Sequence, residues 1–120
     1  MPELPEVQTV VNTLNNQILN KQISSCLLLW DKTSYNTPID ELNKKIKNKK
    51  IENVYRAGKN IVIKLTKGFI VFHLRMTGYL FYTENFKINK HTRAILNFID
   101  ETFLSYEDIR KFGGFYYLKS

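Results

Sequence analysis

Residues 51–74 read IENVYRAGKNIVIKLTKGFIVFHL and give a nearly continuous β signal. Short apolar runs rich in Ile, Val and Phe alternate here with turn residues, and Lys67-Gly68 separates two runs at the spacing of a hairpin. The segment therefore predicts strands over residues 51–55, 60–65 and 69–74. Similar runs farther along predict strands over residues 79–82, 94–99, 102–106 and 115–118, with Asp100-Glu101 as a second hairpin turn.

Two helices are predicted before this β region, with a strand between them at residues 22–30. The first helix begins near Pro5, has one apolar face and stops at Asn20. Its apolar face consists of Val7, Val10, Val11, Leu14 and Ile18. The second helix begins with Thr37 as its N-cap, followed by Pro38. It ends in lysines between residues 44 and 50, which we interpret as a solvated helix end rather than a DNA contact.

These elements predict an α+β fold, an antiparallel β-sandwich or flattened barrel flanked by two helices. Residues 1–120 contain no repeat, linker or low-complexity segment, so a single domain is expected. The apolar runs are too short to span a membrane, and Glu3 and Glu6 stand where a signal peptide carries basic residues. We therefore expect a cytoplasmic protein with no membrane partner. The one cysteine, Cys26, predicts a buried core residue and no cysteine-built metal site.

The formal net charge of +7 suggests a polyanionic partner, most commonly nucleic acid. Lysine, asparagine and isoleucine are all frequent, as expected of an AT-rich genome, so much of the lysine excess carries no functional information. Arginine is more informative because a guanidinium makes bidentate phosphate contacts that an ammonium cannot make. The chain has Arg56, Arg75, Arg93 and Arg110.

The N-terminus offers a candidate nucleophile. Met1 precedes a small residue, so its removal would leave Pro2 with a free secondary amine. Such an amine can attack an electrophilic sugar carbon and form an iminium, and an α-amino pKa near about 8 leaves a neutral fraction at pH 7. Glu3 and Glu6 are close enough in sequence to transfer protons. The alternative is that these residues only begin a helix.

Five segments resemble the formamidopyrimidine-DNA glycosylase family, in the family's order. Residues 1–7, MPELPEV, resemble its opening, and Leu4 favours the oxidised-purine branch over the related endonuclease VIII branch. Residues 56–59 resemble its basic turn, and residues 73–78, HLRMTG, resemble its His-Leu-Gly-Met-Thr-Gly segment. Lys90-His91 resembles the start of its Lys-His-Asp-His motif, and residues 108–113, DIRKFG, resemble Asp-Pro-Arg-Arg-Phe-Gly.

The resemblance implies a base-excision-repair glycosylase and AP lyase that removes oxidised purines such as 8-oxoguanine and formamidopyrimidines. It implies that Pro2 is the Schiff-base nucleophile, that strand cleavage follows by β,δ-elimination, and that Glu3, Glu6 and Lys59 assist. Met76, Arg110 and Phe112 match the residues that fill the void left by the flipped nucleotide. Met76 and Phe112 taken alone would be core residues, but the loop signals Thr77-Gly78 and Gly113-Gly114 beside them favour exposed positions. His91 and Arg93 are candidate phosphate contacts, with His73 a secondary one. The implied partner is double-stranded DNA containing oxidised purines or abasic sites, in a nucleoid-associated location.

The chain also departs from the family pattern. Arg75 replaces a Gly, Ile109 a Pro and Lys111 an Arg, and Arg93 stands where the second His of Lys-His-Asp-His falls. Family members continue into a helix-two-turn-helix domain and usually a zinc finger, and the expectation is that this chain lacks both. We therefore expect no cofactor and no metal site in these residues, weak duplex binding with a shallow salt dependence, and a missing C-terminal half as a candidate partner.

Two alternatives to the enzyme stay open. The chain could be a truncated, non-catalytic DNA- or partner-binding module of the same fold. A generic basic RNA-binding β-domain is weaker, because it has no need of Pro2, Glu3 or the residues at 76, 110 and 112.

Overall fold

A computed structural model describes residues 4–120, so Pro2 and Glu3 lie outside the described residues. The described residues form two α-helices and eight strands. In chain order these are α1 (Leu4–Ile18), β1 (Ile23–Leu28), α2 (Ile39–Ile46), β2 (Ile51–Ala57), β3 (Asn60–Leu65), β4 (Phe69–His73), β5 (Gly78–Thr83), β6 (Thr92–Phe98), β7 (Phe103–Asp108) and β8 (Gly114–Leu118). A short 3-10 turn at Asp31–Thr33 precedes α2. The predicted α+β class is confirmed.

The strands form two antiparallel sheets of four, in the orders β1-β6-β7-β5 and β2-β3-β4-β8. The sheets pack face to face, with the rings of Phe72 on β4 and Tyr106 on β7 5.5 Å apart. Both rings are buried in one continuous apolar core. Helix α1 packs on β2 and β5, and α2 packs on β1. Burial of their apolar faces stabilises the helices more than intrinsic propensity does. The predicted sandwich flanked by two helices is therefore confirmed.

The structure corrects the start of α2. Pro38, not Thr37, is the N-cap residue, and no side chain caps the helix. The Thr37 hydroxyl donates instead to the side-chain oxygen of Asn36 at 3.0 Å. Asn36 is fixed by β8, since its amide donates to the Tyr117 carbonyl at 2.7 Å and its side-chain oxygen accepts from the Tyr117 N–H at 2.9 Å. A contact between distant segments thus overrides the local capping signal.

Two predictions about single residues are confirmed. Asn20 follows α1 in the left-handed conformation, with φ of 67°, as a helix stop requires. Cys26 lies in the core, and burial raises the pKa of its thiol to about 12. Across residues 4–120, no helix has both the length and the apolar character that a membrane crossing requires.

Strand register gives the sandwich two distinct ends. Asn60 pairs with His73 and His73 with Gly114 in one sheet, while Gly78 pairs with Asp108 in the other. The connections at residues 74–77 and 109–113 therefore cross between the sheets side by side. We call this the loop end, defined by residues 58–59, 74–77, 89–91 and 109–113. The hairpin connections at residues 66–68 and 99–102 lie at the opposite end.

Candidate functional site

The loop end brings together most of the predicted site residues within the described part of the chain. These are Lys59 in the β2–β3 turn, His73 at the end of β4, Met76 in the first crossing, His91 and Arg93 around the start of β6, and Arg110 and Phe112 in the second crossing. Glu6 is exposed in the first turn of α1. That helix is held near the same end, because Gln8 Oε1 accepts a hydrogen bond from Arg56 Nε at 3.1 Å.

All the arginines of the chain lie in the loop end or within two residues of it. Arg56 is on β2 beside the Gly58 turn and donates to the Gly58 carbonyl at 2.8 Å. Arg75 and Arg110 are exposed on the two crossings, and Arg93 is the second residue of β6. The lysines after α2 are at the opposite end, where residue 50 bridges to Gln22. This separation supports the interpretation of those lysines as a helix end and makes the loop end the candidate polyanion site.

The crossings also expose large apolar side chains. Met76 is 60% exposed, Ile109 63% and Phe112 50%. Core packing, the ordinary expectation for Met and Phe, is therefore wrong for Met76 and Phe112. Large apolar side chains that project beside arginines have the chemistry needed to enter a base stack.

The second crossing is held in a defined conformation by aromatic contacts. The Tyr35 hydroxyl donates to the Phe112 carbonyl at 3.3 Å. Lys111 has φ of 59°, and its ammonium lies 4.0 Å from the centre of the Trp30 ring, a cation–π contact. The Arg110 guanidinium lies 5.9 Å from the centre of the Phe112 ring. The loop thus presents Arg110 and Phe112 together.

Asp108 is the most extensively bonded side chain at the loop end and was not predicted as a site residue. The residue is 1% exposed, and its carboxylate accepts a hydrogen bond from the Thr77 hydroxyl. It also accepts from the Tyr106 hydroxyl at 2.6 Å, the Arg110 N–H at 3.2 Å and the Gly113 N–H at 2.8 Å. Burial raises the pKa of Asp108, but these hydrogen bonds outweigh it and hold the pKa below its ordinary value. Asp108 is therefore ionised at neutral pH.

A signal for this role was present in the sequence. Period-two alternation along β7 places Leu104, Tyr106 and Asp108 on one face, and all three are buried. A carboxylate on a core-facing position must be hydrogen-bonded, because an unpaired buried charge is very costly. The predicted strand ended at residue 106, two residues short of Asp108, so this alternation was missed.

The histidines and Arg93 occupy partly buried positions. Burial, aided by the charge of Arg75, lowers the pKa of His73, so its imidazole is neutral at pH 7. Arg93 Nε donates to the Asp108 carbonyl at 2.8 Å. The His91 carbonyl accepts from the Asp108 N–H at 2.9 Å, while its buried Nδ1 has no hydrogen-bond partner within the described residues. His91 and Arg93 therefore support the second crossing as well as lying beside it.

Arg75 has a left-handed backbone, with φ of 56°, at the position where the resemblance led us to expect Gly. A non-glycine residue pays about 1 kcal/mol in this region, so Arg75→Gly is expected to raise the free energy of unfolding by roughly 0.5–1 kcal/mol. If Arg75 contacts a phosphate, the same change lowers DNA affinity. It also reduces the slope of the logarithm of the binding constant against the logarithm of salt concentration by about 1. Urea unfolding and binding at several salt concentrations measure both. Unchanged affinity and slope would remove Arg75 from the interface.

Metal ligands are not clustered in the described chain. Within residues 4–120, no three His, Cys, Asp or Glu side chains lie close enough to hold an ion. What the loop end does combine is basic and exposed apolar side chains on two adjacent crossings, with the two histidines beside them. Together these features make one end of the two-sheet domain a candidate polyanion site.

The chain belongs to the formamidopyrimidine-DNA glycosylase family. The family model for the formamidopyrimidine-DNA glycosylase N-terminal domain matches residues 1–115. The chain is 40% identical over 121 residues to the formamidopyrimidine-DNA glycosylase of Bacillus cereus, covering 99% of this chain and 44% of the relative. It is 40% identical over 114 residues to that of Listeria monocytogenes, covering 94% of this chain and 42% of the relative.

Solved structures give the same result. The Lactococcus lactis Fpg in complex with abasic-site DNA matches with a TM-score of 0.91 and 29% identity, covering 99% of this chain and 45% of that one. The same protein in complex with Fapy-dG DNA matches with a TM-score of 0.90 and 29% identity, covering 98% and 44%. The chain therefore spans somewhat less than half the length of the relatives it matches.

Proposed function

We propose that this domain carries the catalytic amine of a base-excision-repair glycosylase that removes oxidised purines. It also carries the wedge residues Met76, Arg110 and Phe112, which enter the base stack. The observation that supports this most strongly is the strand register, which gathers the basic and exposed apolar residues on two adjacent crossings at one end. The relatives also support the proposal, because they are named formamidopyrimidine-DNA glycosylases and one solved relative is bound to abasic-site DNA.

In the proposed mechanism, the neutral amine of Pro2 attacks C1′ of the damaged nucleotide while the base leaves and takes up a proton. The C1′–O4′ bond then breaks and O4′ takes up a proton, which leaves an iminium between Pro2 and the opened sugar. Glu3 and Glu6 transfer protons at the sugar, and Lys59 contacts the phosphates beside the lesion. Loss of the flanking phosphates by β,δ-elimination then breaks the strand. None of these steps needs a cofactor, so EDTA is expected to leave the reaction unchanged.

The second part of the proposal concerns access to C1′. A nucleotide inside a duplex cannot reach an enzyme group until it is flipped out. Met76 and Phe112, exposed on adjacent crossings, have the size to replace the lost base in the stack, and Arg110 has the donors to hydrogen-bond the unpaired partner base. Arg93 and the two histidines are proposed to contact the backbone. Double-stranded DNA with an oxidised purine or an abasic site is thus the proposed partner.

A non-catalytic binding module of the same fold remains the second candidate, because less than half of the relatives' length is present. One experiment separates the two functions. The chain is incubated with an 8-oxoguanine duplex, an abasic duplex or an undamaged duplex in the presence of borohydride, which reduces an iminium to a stable amine. A covalent adduct on the damaged duplexes alone supports the enzyme. Binding without an adduct on either damaged duplex supports the module.

A further inference from the structure

The two crossings at the loop end are joined through one carboxylate. Thr77, on the first crossing, donates its hydroxyl to Asp108 Oδ1, although the two residues are 31 positions apart. The Arg110 N–H, on the second crossing, donates to the same oxygen at 3.2 Å and lies 3.4 Å from the Thr77 hydroxyl oxygen. The Gly113 N–H donates to Oδ2 at 2.8 Å. Asp108 thus contacts the loop of Met76 and both sides of Phe112.

We propose that Asp108 is a positioning residue that holds the two crossings as one unit, so that Met76, Arg110 and Phe112 enter the base stack together. This inference rests on the proposed function of those three side chains and assigns the group that aligns them. Asp108 itself is buried, so in this proposal it acts through the crossings rather than on DNA.

The geometry suits a rigid connection. The carboxylate lies at the end of β7, a strand paired on both sides, rather than on a mobile tip. Its donors come from β7 itself and from both crossings, and bonds to an ionised acceptor are stronger than those between neutral groups. A Cβ on Gly113 would overlap the Tyr106 hydroxyl and the His73 carbonyl, so only glycine brings that N–H close to the carboxylate.

Positioning matters here because all three exposed side chains must act at the same base-pair step. Without the Asp108 bonds, the crossings would depend on separate contacts, such as that between Lys111 and Trp30 for the second. Each wedge residue would then be ordered on DNA binding at its own entropic cost, which lowers affinity for the damaged site. Undamaged duplex offers no gap to fill, so affinity for it does not depend on the alignment of these three side chains.

Thr77 provides the sharpest test because its side chain bonds Asp108 from the other crossing. Thr77→Val keeps the shape and removes the hydroxyl, whereas Thr77→Ser keeps the hydroxyl as the matched control. Two readouts are used. The hydrogen-exchange rates of the Arg110 and Gly113 amides report whether the hydrogen bonds to Asp108 are intact in the free chain. Affinity for an abasic-analogue duplex with 2-aminopurine opposite the gap, compared with an undamaged duplex, reports wedge insertion.

We expect Thr77→Val to speed exchange at Arg110 and to weaken binding to the abasic-analogue duplex by about tenfold. The change in 2-aminopurine fluorescence on binding should be smaller than with wild type. Affinity for the undamaged duplex should stay within about twofold of wild type. Thr77→Ser should match wild type in every readout. Unchanged exchange in Thr77→Val overturns the proposal, and so does faster exchange with wild-type affinity and 2-aminopurine signal.

Failure of the proposed function gives a different result. In that case the wild-type chain binds abasic-analogue and undamaged duplexes equally, and no variant changes the ratio. The positioning role in DNA binding is then overturned together with the function. Exchange at Arg110 still shows whether the Asp108 bonds hold the crossings together. A wild-type chain that prefers the abasic analogue, with Thr77→Val equal to Thr77→Ser, rejects only the positioning role.

Discussion

Blocking the Pro2 amine is expected to reduce the borohydride-trapped adduct by about 1000-fold or more. A residue retained or added before Pro2 turns its nitrogen into an amide, whose lone pair is delocalised into the carbonyl. An amide nitrogen cannot form an iminium, so the covalent step stops even when DNA binding is intact. Adduct yield on an abasic duplex, measured on denaturing gels over a time course, gives the size of the effect.

Controls for this prediction keep a free amine at the same place. Pro2→Gly retains an N-terminal amine, although a primary one, and is expected to give a smaller loss than the blocked form. Because an added residue brings its own amine and Lys59 carries another, the modified peptide is identified by mass spectrometry. An adduct of undiminished yield on the blocked chain, located at Lys59, would contradict the assignment of Pro2 as nucleophile.

The second large effect is expected at Asp108. Asp108→Asn keeps the size of the side chain, but its amide N–H₂ replaces an oxygen that accepts hydrogen bonds from N–H and O–H donors. Leaving buried donors unsatisfied costs about 1–3 kcal/mol each, so we expect the free energy of unfolding at pH 7 to fall by about 3 kcal/mol. For a domain of this size, the corresponding drop in Tm is about 10 °C.

The pH dependence of this effect has a definite sign. The folded-state pKa of Asp108 is lowered, so its contribution to stability is fully present above the unfolded pKa of about 3.9. The contribution is lost as pH falls through the lower folded pKa. The difference in stability between wild type and Asp108→Asn is therefore largest at pH 5–7 and shrinks as the pH falls below about 4.

Other groups around the carboxylate also bear on this titration. Those that face Asp108 or its hydrogen-bond partners are Tyr106, Arg93, His91, Arg110, His73 and Tyr35. Burial, reinforced by Asp108, raises the pKa of Tyr106, so this phenol stays a neutral donor throughout the acid range. Urea unfolding of both forms at pH 7, 5, 4 and 3 tests the prediction, with Tyr106→Phe as a variant that removes one donor and keeps the charge. A stability difference that does not change with pH would show that the charge of Asp108 is unimportant.

Much of the candidate site could be predicted from short segments. The residues 73–78 and 108–113 are each continuous in sequence, so their resemblance to family segments identified Met76, Arg110 and Phe112 without knowledge of the fold. Met and Phe are ordinarily buried, but the neighbouring loop signals Thr77-Gly78 and Gly113-Gly114 indicated exposed positions for Met76 and Phe112. The extent of exposure depends on the crossings, the second of which is held by contacts with Tyr35 and Trp30.

The sequence by itself determined the α+β class, the two helices, and most strand positions, because periodicity and turn residues act over a few neighbouring positions. Tertiary structure decided the rest. It displaced the cap expected at Thr37, because Asn36 is bound to a strand 81 residues away. It also placed the crossings side by side and joined them through Asp108. These outcomes depend on strand register and on contacts between distant segments, which no local pattern contains.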